Sequence, residues 1–277
     1  MKKVIIMDID GTLTNEEKVI TPKTKEKLLQ LQSEGAVLVL ASGRPDRGLI
    51  DFIEELEMDK HHGIIVAFNG AKVIDCQTKE VLFNQAMSVE MCQKVLNHMK
   101  KFDVRPMVYK DDYIYVNDVY NNIVHVWNRE LNVMKYEANI GKYKLCEIDD
   151  LEKFADYPMN KILTTGEPDY LQENYKAMME PFKDTLNCVF TAPMYFEFTA
   201  KGIDKANAIR LSLLPLGYTK DDMIAFGDAE NDKTMIEYAG IGVAMGNATK
   251  ELKDVADFVT LSNDEDGIAY ALEKLLK

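Results

Sequence analysis

The run Val4-Ile5-Ile6-Met7-Asp8-Ile9-Asp10-Gly11-Thr12-Leu13 constrains this chain more than any other stretch. Apolar, β-branched residues followed by two acids and a glycine read as a strand covered on both faces that delivers carboxylates to the open edge of a sheet. Strands covered on both faces belong to parallel sheets flanked by helices, so this stretch already asks for an α/β architecture. Asp8 and Asp10 are two apart and share a face if both stay extended, which brings their charges close enough to need a cation or a shared proton. Gly11 allows a sharp turn after them, and Thr12 adds a hydroxyl and an amide. Acids at a strand end also cap helices and shape turns, so the functional reading depends on what later strand ends carry.

Those ends carry matching polar groups. Thr21-Pro22 opens a helix, Leu28, Leu29 and Leu31 give it an apolar side, and Gly35 stops it. The apolar strand 36–40 then runs into Ala41-Ser42-Gly43-Arg44. After a helix carrying Leu49, Ile50, Phe52, Ile53 and Leu56, the strand 64–68 ends at Asn69-Gly70, and the segments 71–75 and 81–83 read as a strand pair. This β-α-β-α-β order is the doubly wound pattern. From about residue 88 the texture changes to a helix over 88–102, strands over 104–109, 113–116, 159–165 and 186–192, and a helix over 168–179. The doubly wound pattern resumes with 195–199, a helix from about 205 to 214, a strand over 223–226 and short strands over 241–244 and 258–260. The expected fold is α/β, a doubly wound, mostly parallel Rossmann-like sheet core built from residues 1–85 and 193–277, with an inserted α+β domain over 86–192.

Composition narrows the function. At 277 residues, 47% hydrophobic and 29% charged, the chain can bury two ordinary cores. A net charge of −13 argues against a nucleic-acid or anionic-membrane partner. An anionic substrate would need a local reversal of that field, which a divalent metal and a few placed cations supply. Cys76, Cys92, Cys146 and Cys188 are scattered without metal spacing and read as reduced thiols, and His61, His62, His98 and His125 form no pair with ligand spacing. The first apolar run breaks at Asp8, too soon for a signal peptide or a membrane span, so a cytoplasmic protein is expected.

A second acidic cluster, Asp228-Ala229-Glu230-Asn231-Asp232, follows another buried strand and precedes a helix with Met235, Ile236 and Tyr238. A helix starting near Asn231 would leave Asp228 in the loop and Asp232 in the first turn, both able to face one ion, and hard oxygen donors of this kind suit Mg²⁺. Acids also gather at helix N-termini for the dipole alone, which would account for Asp232 by itself.

Taken in order, Asp8-x-Asp10-Gly-Thr-Leu, Ser42-Gly-Arg44, Lys201-Gly-x-x-Lys205 and Gly227-Asp228-x-x-Asn231-Asp232 resemble the haloacid dehalogenase superfamily, and within it the Cof-type phosphatases with a large α/β cap. The resemblance spans both ends of the chain and leaves a cap-sized gap between the second and third motifs. It implies Asp8 as a nucleophile that forms an aspartyl-phosphate, Asp10 as general acid and base, and Mg²⁺ held by Asp8, the Asp10 carbonyl and Asp228, with Asp232 and Asn231 supporting its water shell. It further implies a phosphoryl hydrogen bond from Ser42, charge stabilisation by Lys205, and substrate contacts from Thr12, Gly43, Arg44, Asn69 and Asn231, while Lys201 shapes a turn. The expected activity is Mg²⁺-dependent hydrolysis of a small phosphorylated metabolite, sugar phosphates foremost, by a monomer or weak homodimer whose inserted domain selects substrate as a lid. A phosphomutase of the same superfamily and a non-catalytic phosphometabolite-binding module are the alternatives.

Overall fold

Val4–Met7 is buried at every position, which a strand achieves only inside a sheet covered on both faces. The computed structural model of the protein describes residues 3–120, 122–126 and 128–276. The chain divides into two compact units, Met1–Asn84 with Asp204–Lys277, and Gln85–Ile203.

In the first unit the sheet order is Phe258–Val259, Ile241–Ala244, Met223–Gly227, Val4–Met7, Val37–Ala41, Ile64–Ala67, Lys72–Asp75 and Val81–Asn84. Pairing is parallel from Phe258–Val259 through Ile64–Ala67, and the last two strands add antiparallel as the expected hairpin. Val4 is in register with both Met223 and Val37, so these neighbouring strands finish at one level and point their carboxyl ends the same way. Whatever follows each strand therefore collects along a single edge, the usual place for a site in a doubly wound sheet. Helix Pro22–Ser33 lies against Gly267–Leu275, and Lys205–Leu213 against Lys233–Tyr238. Thr21 sits at the expected N-cap position, yet its hydroxyl donates to Asp266 Oδ1 at 2.5 Å and makes no bond to its own helix.

The second unit holds a sheet in the order Lys144–Glu147, Tyr113–Val116, Arg105–Lys110, Lys161–Thr165, Tyr195–Ala200 and Leu186–Ala192. Alternation splits its side chains between two cores. Val108, Ile162, Phe196 and Phe198 pack with residues of helices Val89–Met99 and Pro168–Met179. Met107, Ile114, Leu163 and Tyr195 pack with Val124 and Val126 of a separate hairpin and with Val133, Met134 and Ala138 of helix Val133–Ile140.

Two expectations change here. The stretch 195–199, read as resuming the doubly wound core, is a strand of the second sheet, antiparallel to both Lys161–Thr165 and Leu186–Ala192. The chain accordingly returns to the first unit at Ile203–Asp204 and not at 192–193. A strand paired on both edges and covered on both faces looks the same in sequence whichever sheet it joins, and all six of its residues are buried. Segment 117–158, to which the sequence assigned no elements, contains the hairpin Ile123–Val126 with Arg129–Asn132, helix Val133–Ile140 and strand Lys144–Glu147. Its readable signal was Asn132, whose side chain accepts from Lys135 N–H as an N-cap.

Among the buried groups of the second sheet, Lys161 Nζ meets Glu197 Oε2 at 3.0 Å with both side chains under a tenth exposed. Removing one partner strands a buried charge, whereas replacing both by apolar groups does not. Lys161→Met should therefore destabilise this unit by about 3–5 kcal/mol, because both Glu197 and Glu137, whose carboxyl burial raises and Lys161 pulls down, lose a countercharge, and Lys161→Met/Glu197→Leu should recover only the part due to Glu197. Hydrogen exchange of the Tyr195–Ala200 amides checks it; equal losses in single and double variants would refute the pairing.

Candidate active site

The sheet hydrogen bonding runs one residue past the first strand, with Asp8 N–H donating to Phe226 O at 3.1 Å, so Asp8 is fixed by backbone pairing at the sheet's edge. The chain then folds back, Leu13 N–H onto Asp8 O at 3.2 Å and Thr14 N–H onto Ile9 O at 3.0 Å. Gly11 turns this corner at φ +88°, and a Cβ there would lie 2.5 Å from Asp228 Oδ2, so both backbone conformation and space demand glycine. Thr12 Oγ1 donates to Asp228 Oδ1 at 2.8 Å, and Asn247 Nδ2 to Gly11 O at 2.8 Å.

Lys205 opens its helix behind the N-cap Asp204, whose carboxylate accepts from Asn207 N–H. Its ammonium donates to Asp8 Oδ1 at 2.7 Å, Asp232 Oδ1 at 2.6 Å and Ala41 O at 2.8 Å, which uses all three of its hydrogens. The side chain is 1% exposed. Asp232, fully buried, turns its other oxygen to the backbone N–H groups of Asp228 and Ala229 at 3.0 and 3.1 Å. It thus holds the loop and the lysine together. Gly227 makes room, since a Cβ there would sit 2.5 Å from Asp232 Cβ.

Charge in this cluster is unbalanced. One oxygen each of Asp8, Asp228 and Asp232 lie within 4.8 Å of one another, and the Lys205 ammonium is bonded to two of the three, Asp8 and Asp232. Burial pushes the Asp8 carboxyl up to about 7, Lys205 opposes this, and the charges of Asp232 and Asp228 add to it. Burial likewise raises Asp228 against the pull of the Thr12 hydrogen bond. Burial works to lower Lys205, but Asp8 and Asp232 outweigh it and leave its ammonium held above the ordinary lysine range. Hard carboxylate oxygens carrying surplus negative charge form a donor set that fits a small divalent cation.

Asp10 lies elsewhere in the balance. Its side chain is exposed and forked by Arg44, with Nε to Oδ2 at 2.9 Å and Nη2 to Oδ1 at 2.8 Å, and Lys18 Nζ adds 3.2 Å to Oδ1. Burial tends to raise this carboxyl, but Arg44 and Lys18 prevail and hold it below the usual range. The Asp10 carboxylate thus takes countercharge from Arg44 and Lys18. Lys18 was missed; it reaches Asp10 from a turn at φ +62°, which no pattern in the sequence flags.

Ser42 is buried, and its Oγ accepts from Arg44 N–H at 3.2 Å. Asn69 faces Gly43, where a Cβ would come 3.0 Å from Asn69 Nδ2, and Asn69 Oδ1 accepts from Asn231 Nδ2 at 3.2 Å. Asp8, Asp10, Thr12, Ser42, Gly43, Arg44, Asn69, Lys205, Asp228, Asn231 and Asp232 are thus linked along one edge of the first unit. Lys201 is not among them; it is exposed in the second unit and donates to Asp184 O at 2.8 Å.

Known proteins resemble this chain in sequence and fold. The sequence pattern of the haloacid dehalogenase-like hydrolases matches residues 5–272. A haloacid dehalogenase-like hydrolase from Bacteroides thetaiotaomicron is 32% identical and superposes with a TM-score of 0.90 over 99% of both chains. A subclass IIB sugar phosphatase of that superfamily is 26% identical, with a TM-score of 0.76 over 98% of each chain. The 5-amino-6-(5-phospho-D-ribitylamino)uracil phosphatase YcsE of Bacillus subtilis is 27% identical over 270 residues, which cover 98% of this chain and 94% of that one.

Asp8 gives this site a pH signature. Its carboxyl titrates at 3.8 when unperturbed and near 7 in the fold, so between these values the native state keeps a proton that the unfolded chain has released. The stability contributed by this group is full below pH 4 and falls as pH rises toward 7, by at most about 1.4 kcal/mol per pH unit. In chelator, wild type should therefore lose stability relative to Asp8→Asn between about pH 4 and 7. A divalent cation should stabilise wild type most at the alkaline end. Denaturant titrations at each pH check this, and a difference that stays flat across the range would contradict it.

Proposed function

The chain belongs to the haloacid dehalogenase-like hydrolases and is a phosphatase of the Cof type, and we propose that it is a Mg²⁺-dependent enzyme that hydrolyses small phosphorylated metabolites through an aspartyl-phosphate on Asp8. The observation that carries this reading is the asymmetric engagement of Asp8. Lys205 occupies Oδ1, and among the described residues no hydrogen bond to Oδ2 accompanies it, which leaves one oxygen oriented and unblocked for attack on phosphorus.

In the proposed reaction Asp8 Oδ2 forms the new bond to phosphorus as the ester oxygen departs, and Asp10 gives that oxygen a proton. Water then attacks the aspartyl-phosphate, Asp10 takes its proton, and inorganic phosphate leaves with Asp8 restored. Arg44 and Lys18 hold Asp10 in its ionised form, so it must leave the fork and take up a proton from solvent before it can act as the acid, which links substrate arrival to release of Asp10 in the proposal. Ser42 would donate to a phosphoryl oxygen, and Lys205 would offset the charge that gathers on phosphoryl and carboxylate oxygens. Mg²⁺ would be held by Asp8, Asp228 and the Asp10 carbonyl, with Asp232 and Asn231 behind them. When bound it would supply the countercharge that lets an anionic carboxylate meet an anionic phosphoryl group.

The sugar phosphatase and the phosphoribitylaminouracil phosphatase both act on phosphorylated polyhydroxy compounds by name, which supports a sugar phosphate or a related phosphometabolite here. The second unit would select among leaving groups as the lid expected from sequence. A net charge of −13 supports a small-molecule substrate over nucleic acid or an anionic membrane. No helix among the described residues is long and apolar enough to cross a membrane, and we read the protein as a cytoplasmic monomer or weak homodimer.

A panel of phosphorylated metabolites and an aryl phosphate, assayed with Mg²⁺ and with EDTA, tests the proposal. Asp8→Asn should abolish turnover, whereas Asp10→Asn should slow it roughly 10²- to 10⁴-fold, least for the aryl phosphate with its good leaving group. Inorganic phosphate should appear in step with loss of a hexose phosphate. An isomerised sugar phosphate as main product would point to a mutase, and equal rates in EDTA would remove the metal.

A further inference from the structure

Directly after Ile64–Ala67 the backbone makes an unusual excursion. Phe68, Asn69 and Gly70 lie consecutively in the left-handed region at φ +53°, +56° and +104°. Glycine enters that region freely and asparagine tolerates it, but an aromatic residue there is a genuine outlier. Such strain persists only where surrounding contacts impose it.

The contacts are specific. Ser42 N–H donates to Val66 O, Asn69 N–H to Ser42 O and Phe68 N–H to Arg44 O, each at 2.9 Å, so the loops after two neighbouring strands are stitched together. Lys72 Nζ closes the far end on Asp46 Oδ2 at 2.6 Å. Gly70 presses on the N-cap of the Lys205 helix, where an added Cβ would be 2.5 Å from Asp204 O. What the bent backbone accomplishes is the placement of one carboxamide. Its Nδ2 and Oδ1 would lie 3.0 and 3.2 Å from a Cβ on Gly43, and Oδ1 accepts from Asn231 Nδ2 at 3.2 Å.

The geometry points to Asn69 as a positioning residue: its carboxamide, wedged between Gly43 and Asn231, fixes the loop that carries Ser42 against the loop 228–232 that carries the carboxylates, and does not itself bind substrate. This rests on the reading of that edge as the phosphoryl-transfer site. It departs from the expectation that Asn69 contacts substrate. The side chain spans the ends of strands Val37–Ala41, Ile64–Ala67 and Met223–Gly227, so a loosened amide would let the phosphoryl side and the metal side of the site drift relative to each other.

Asn69→Gly keeps the left-handed backbone and removes the amide, and Asn69→Asp keeps an acceptor for Asn231. With Mg²⁺, Asn69→Gly should lower kcat roughly 10- to 100-fold on aryl and hexose phosphates alike, with little change in KM, as expected for a misplacement of about 1 Å. Asn69→Asp should recover most of that loss. Asn69→Gly/Asn231→Ala should fall well short of the product of the single losses, because both remove one linkage. A raised KM confined to the hexose phosphate, or single losses that multiply, would overturn the positioning role. Hydrogen exchange of peptides spanning 37–46 and 223–232 reads the same coupling without turnover. Asn69→Gly should speed exchange in both, and unchanged exchange in 223–232 would overturn the inference whether or not the wild type hydrolyses either phosphate; an inactive wild type would sink the phosphatase reading alone.

Discussion

A buried ammonium with every hydrogen engaged organises the first unit. Lys205 Nζ joins Asp8, Asp232 and the backbone of Ala41 at 2.6–2.8 Å, at a point 1% exposed to solvent. A charge so placed is tolerated only with close, well-aligned partners, and each partner in turn depends on it. Without the lysine, the carboxylates of Asp8, Asp228 and Asp232 would face one another in a low-dielectric pocket. The lysine also fixes which Asp8 oxygen, Oδ1, is held. Structure and chemistry therefore lean on one contact.

The contact joins two distant parts of the chain. Asp8 and Lys205 are separated by 197 positions; Asp8 ends a central parallel strand, and Lys205 opens the helix by which the chain re-enters the first unit. Crowding there is relieved by residues without side chains. Gly11 and Gly227 stand where a Cβ would collide with Asp228 and Asp232, and Gly70 where one would collide with the Lys205 helix. These glycines let acidic side chains approach backbone closely enough to be held by it.

Much of this was legible in sequence for a definable reason. Asp8, Ser42, Asn69 and Asp228 each follow a continuous apolar run, and such runs announce both a buried strand and the place where it stops. Lys205 and Asp232 came from motif spacing, since either alone reads as a surface charge or a helix-end acid. What stayed hidden involves choice among partners. Nothing in the spacing shows that Asp10 turns to Arg44 and Lys18, or that Asn69 meets Asn231, because side chains pair across loops whose relative placement only the fold decides. The stretch 195–199 was assigned to the wrong sheet for the same reason: its alternation marks a strand, but the identity of the neighbouring strand is not readable. The short elements of 117–158 gave too few residues per element for a period to emerge.

The central claim is that phosphate passes through a covalent bond to Asp8. Enzyme mixed with a substrate labelled on phosphorus, quenched in acid within the first turnover and digested, tests this directly. The account predicts labelled protein in amounts approaching one per chain, released by hydroxylamine as an acyl-phosphate should be, and located on the peptide containing Asp8. Inorganic phosphate formed in the first turnover with no labelled protein, or label on a peptide lacking Asp8, would contradict it.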